Sequence, residues 1–100
     1  MSTPRCTVVN LNVETFDVYG GRLGHGYDGW LGNPFKVGRF VSREKSIALH
    51  REYFLARVER GGRFRERVLG LRGKRIGCFC KPQSCHLDVV AEYVNGHFGD

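Results

Sequence analysis

Leu87, Val90, Ala91 and Val94 recur at i, i+3, i+4 and i+7, shortly after a run, Lys74-Arg75-Ile76-Gly77-Cys78-Phe79-Cys80, that stops at Lys81-Pro82. An extended apolar run followed within a few residues by helical periodicity predicts a strand feeding a helix, the repeating step of α/β folds. Gly96 is expected to close that helix. A chain of 100 residues accommodates one such domain and removes roughly 65% of its extended-chain surface from water. The 41% hydrophobic content suffices for a single two-layer core and argues against disorder. The chain is therefore expected to form one domain over residues 1–100, with no internal repeat.

The remaining elements follow from the same patterns. Over Thr7–Val13, Thr7, Val9, Leu11 and Val13 fall on one face of an alternating run and predict a half-buried strand, and Phe16-Asp17-Val18-Tyr19 a second short one. Residues 20–35, GGRLGHGYDGWLGNPF, hold six glycines and no period. A loop of that length in so small a domain is expected to bind something, pinned by Trp30, Pro34 and Phe35. Ser42 is an expected N-cap, with Glu44 favourable in the first turn. Ile47, Ala48, Phe54, Leu55 and Val58 span a helical stripe roughly 120° wide, and Arg51 falls inside it. Gly61-Gly62 breaks this helix, and Phe64, Val68 and Leu71 predict a short second one. The order β-β-α-α-β-α predicts a sheet of three to four strands with helices packed on it.

No apolar run approaches the ~18 residues of a membrane span, and Met1–Arg5 lacks the apolar stretch of a secretory signal. Cys6 stands alone, whereas Cys78, Cys80 and Cys85 lie within eight residues. That spacing does not suit a disulfide framework, and the expectation is a cytoplasmic, reducing location. The net charge of +6 is uneven: residues 36–81 carry fourteen Lys or Arg against four Glu, and twelve of the sixteen cations are Arg. Arg57, Arg60, Arg63, Arg65 and Arg67 form the densest part, either a nucleic-acid surface or simply a solvated helical face.

Three readings compete for Cys78-Phe79-Cys80-Lys81-Pro82-Gln83-Ser84-Cys85-His86-Leu87-Asp88. Cys78, Cys80, Cys85 and His86 have the types and number of a structural Zn²⁺ site. Against zinc, alternate strand positions start ~7 Å apart, and consecutive helical residues diverge by ~100°. Alternatively, the turn forms a ligand pocket with Cys85, His86 and Asp88 as catalytic candidates, Asp88 orienting His86 or a bound group. Arg22, Trp30, Asn33, Arg51, Cys80 and Lys81 would contact the ligand. Strand-to-helix turns of α/β sheets place ligands there, and helix N-termini favour anions and thiolates. In the third reading, Cys78 and Cys80 fill core space and His86 merely begins a helix.

Val8-Val9-Asn10, Asp17–Arg22, Trp30–Phe35, Leu71–Pro82 and Cys85–Asp88 together resemble the bacterial and phage family called domain of unknown function 4326, over about residues 6–97. Its usual Trp-Gly-Asn-Pro-Phe appears here with Leu31 inserted, and its Cys-His-Gly-Asp as Cys85-His86-Leu87-Asp88. The strand-end Cys followed by Cys-His is also similar to domain of unknown function 488. The first resemblance implies an α/β protein of the bacterial cytosol, or of the host cytosol if phage-encoded, but no activity. The expected function is binding of a phosphate-bearing ligand, a nucleotide or nucleic acid, between the glycine-rich loop and the Cys-His turn, with room for a nucleotide-directed step. The alternatives are a zinc-stabilised nucleic-acid or protein-interaction module and a phage inhibitor of a host protein.

Overall fold

The computed structural model describes residues 5–21, 29–35, 37–79, 81, 83 and 85–98. It contains β1 (Thr7–Asn10), β2 (Val18–Tyr19), α1 (Arg43–Glu59), α2 (Gly62–Leu69), β3 (Arg75–Cys78) and α3 (Leu87–His97), in the expected order. The sheet runs β1-β3-β2, with both outer strands parallel to β3. Ile76, Gly77 and Cys78 are all buried, as befits the central strand of a parallel sheet.

β1 and β2 lie on opposite sides of β3, yet only residues 11–17 join them. Parallel strands ordinarily need a connection of about a dozen residues or more. Here the link folds directly across the sheet. A Cβ added to Gly77 would sit 2.8 Å from the Phe16 ring and 3.1 Å from Leu11 Cβ, so only a glycine admits so low a crossing. Asp17 anchors the return: its N–H donates to Arg75 O, and its carboxylate accepts from Arg75 N, each at 2.8 Å.

The other face carries the core. Ile76, Leu87, Val90 and Val94 are fully buried with Phe54, Val58 and Val68. α3 thus buries the four periodic residues that predicted it. It is tied to the start of β1 by Asn95, whose side chain accepts from Cys6 N at 2.8 Å and donates to Cys6 O at 2.9 Å. This side-chain amide satisfies both backbone groups of a buried residue. Burial also pushes the Cys6 thiol up to about 11, leaving it protonated.

Four local expectations need correction. β1 stops at Asn10 instead of reaching Val13, which is 79% exposed. The cause is Asn10 itself: its Oδ1 accepts from Asn12 N, and its backbone carbonyl accepts from Val13 and Glu14, turning the chain. β3 ends at Cys78. α1 begins at its Ser42 cap as expected, but its buried line is Ser46, His50, Phe54 and Val58. Ala48 faces solvent, and Ile47 and Leu55 are only partly buried. Arg51 lies outside that line, exposed and paired with Glu92 at 3.3 Å. Finally, Gly96 lies within α3, which continues to His97.

Candidate functional site

The carboxyl ends of the three parallel strands meet the start of α3, where His86 ties the end of β2 to the Leu31 segment. Its Nε2 lies 2.9 Å from Leu31 O and 3.2 Å from Gly20 O. Carbonyl oxygens only accept, so Nε2 carries the proton. In the neutral ring Nδ1 is then an acceptor, and it faces Cys85 Sγ at 3.7 Å. Nδ1 is thus placed to accept from the Cys85 thiol. Cys85 is buried and forms no disulfide.

Asp88 does something other than orient His86. One carboxylate oxygen accepts from Cys85 N at 3.1 Å, just ahead of α3, and the other pairs with Lys81 Nζ. Asn10 Nδ2 donates to Lys81 O at 2.7 Å, linking the end of β1 to the same turn. Asn33 is likewise committed inside the fold. It accepts from Phe35 N and donates to Ser46 Oγ, whose hydroxyl in turn donates to Phe35 O. This closed set holds the Trp30–Phe35 segment against α1.

Beneath that segment lies His50, a polar residue on the inner stripe of α1 that apolar periodicity alone does not mark. Its spacing of four from both Ser46 and Phe54 is the signal that would have found it. The ring stacks on Phe54 and meets His86 edge-on at 4.8 Å between centroids. Burial, and then repulsion from the adjacent His86 when that ring is protonated, push it down to about 4. Its Nδ1 has no hydrogen-bond partner among the described residues. With its folded value below the ordinary 6.5, the unfolded chain binds the extra proton between these limits. Stability contributed here is complete above pH ~6.5 and is lost as pH falls toward 4. Urea unfolding across that window should show a slope that His50→Phe, which keeps a flat ring against Phe54, flattens by up to about one proton.

Trp30 joins this turn to the basic helices. Its neighbour Leu31 accepts from His86, while its own ring carries the Arg67 guanidinium at 4.1 Å and packs edge-on against Phe64. Arg57 lies over Phe64 at 4.0 Å and donates to Tyr53 Oη at 3.2 Å, and Tyr53 packs against Phe35. The result is a continuous ladder, Arg67–Trp30–Phe64–Arg57–Tyr53–Phe35, across the loop, α1 and α2. Arg60, Arg63 and Arg65 are exposed.

Of the residues singled out from sequence, the strand-to-helix turn brings together Cys85, His86, Asp88 and Lys81, with Cys78 buried at the end of β3. Trp30 sits with the Arg57–Arg67 group, and Arg51 stands apart. Arg22 and Cys80 lie outside the described residues. Among the described residues, no three His, Cys, Asp or Glu side chains converge as a metal site.

No solved structure matches this chain. An uncharacterised 12.4 kDa protein from the nrdA–td intergenic region of Enterobacteria phage T4 is 37% identical over 95 residues, which cover 95% of this chain and 82% of the relative. The model of the family described as Domain of unknown function (DUF4326) matches residues 7–96. With nearly every element of the fold inside that match, the chain belongs to the DUF4326 family.

Proposed function

We propose that this chain binds a phosphate-bearing ligand, a nucleic acid, across the face formed by the Trp30–Phe35 segment, α1 and α2. The observation that carries the reading is the pair of guanidiniums held over aromatic rings, Arg67 on Trp30 and Arg57 on Phe64. A stacked guanidinium keeps its charge and donor edge while losing much of its side-chain freedom, so less entropy remains to be lost on meeting a phosphate. Arg60, Arg63 and Arg65 extend the positive field. On this reading the Cys-His turn is the clamp that positions the Trp30 end of the ladder.

Anisotropy titration of a labelled oligonucleotide at 50–300 mM salt tests the proposal. Affinity should fall steeply with salt, and the Arg57→Ala/Arg67→Ala double variant should lower the log–log slope by about one to two. A salt-independent wild-type affinity, or a variant with an unchanged slope, overturns it.

A further inference from the structure

Phe40 is the most exposed large apolar side chain among the described residues, at 85%. Val37, three residues earlier, is 54% exposed. They occupy a tip closed by a hydrogen bond from Gly38 N to Val41 O at 2.9 Å. The tip stands on a firm base. Phe35 just before it is held by Asn33 and Ser46 and packs on Tyr53, the far end of the Arg–aromatic ladder. Just after it, Ser42 caps α1. The Arg39 guanidinium lies 5.5 Å from the ring centroid.

The surroundings select the occupant. Residues 37–45 carry Arg39, Arg43 and Lys45 against Glu44 alone. An open aromatic face among cations suits a polyanion that offers flat apolar faces, and unpaired nucleobases do so. In a duplex those faces are buried in the base stack, leaving phosphates and groove edges. A lipid surface would require a broader apolar face than Val37 and Phe40 supply. The tip is also continuous through Phe35 with the ladder proposed to take the phosphates.

We infer that Phe40, backed by Arg39, is a stacking finger for an unpaired base, so that the ligand is single-stranded nucleic acid. This rests on the nucleic-acid reading above and adds strandedness to it. The ring supports nothing in the core, so substitution leaves the fold intact, which thermal melting verifies.

The test compares wild type, Phe40→Ala, Phe40→Trp and Arg57→Ala/Arg67→Ala against labelled oligothymidylate, a duplex of equal length and phosphatidylglycerol vesicles. Phe40→Ala should weaken oligothymidylate binding about tenfold while leaving duplex affinity within twofold, and Phe40→Trp should restore it. Equal loss on both nucleic acids, or no loss on either, overturns the finger. Vesicle binding abolished by Phe40→Ala while oligothymidylate binding is untouched overturns it in favour of a lipid surface. Loss only in the double arginine variant retains the ladder and removes the finger. Loss only in Phe40→Ala retains the finger and removes the ladder.

Discussion

Gly20→Ala should destabilise the protein by about 3 kcal/mol, the upper part of the range for overpacking a filled core. An added Cβ would stand 2.4 Å from Leu87 Cδ1 and 2.5 Å from Ile76 Cγ2. Both side chains are fully buried, so neither has space to withdraw into. Gly20 also donates its N–H to Gly77 O and lends its carbonyl to His86. A displacement there disturbs the sheet edge and the clamp together. Gly96→Ala is the matched control. Its added methyl meets nothing within 4 Å, and alanine in a helix should raise stability by about 0.5–1 kcal/mol. Urea midpoints measure both, and a Gly20→Ala midpoint equal to wild type would refute the close packing of β2 on α3.

His86→Ala is the second large effect, a loss of about 2–3 kcal/mol. The substitution leaves the Leu31 and Gly20 carbonyls without their donor and opens a space beside His50. Because Leu31 adjoins Trp30, the change should also loosen the upper end of the ladder, seen as a red shift of the lone Trp emission. A ligand-contacting histidine behaves differently: its replacement abolishes binding and leaves the urea midpoint where it was. That outcome would return His86 to the pocket role expected from sequence. Stability and emission moving together would establish the clamp.

The fold was legible wherever one signal dominated locally. The apolar residues of α3 at helical spacing, the Ser42 cap and the Gly61-Gly62 break each act within a few residues, and each appears where expected. Signals mixing polar and apolar roles were less legible. The alternation from Thr7 to Val13 looks like one strand, but Asn10 hydrogen-bonds to its own chain and ends it. Arg51 seemed to share a stripe with apolar residues, whereas the inner line of α1 includes Ser46 and His50, held in by partners distant in sequence.

The same division applies to the candidate site. The clustering of Cys85, His86, Asp88 and Lys81 follows from their nearness in the chain. Their roles do not, because Asp88 turns to Cys85 N and Lys81, and His86 turns to carbonyls 55 and 66 positions away. Trp30 on Arg67 belongs to the same class. Composition announces a basic middle segment, but only tertiary packing brings a glycine-loop tryptophan under one of its guanidiniums.

The strand order carries a consequence for how the molecule is made. β1 and β2 do not pair with each other; each finds its ladder only on β3, which ends at residue 78. Until that strand leaves the ribosome, the first fifth of the chain has no hydrogen-bonding partner for either of its strands. The helices α1 and α2 can form early from local contacts, but the sheet must assemble in one late, long-range event. A nascent chain halted before β3 would therefore display helices and a bare N-terminal segment, and the last quarter of the sequence would convert both into a protein.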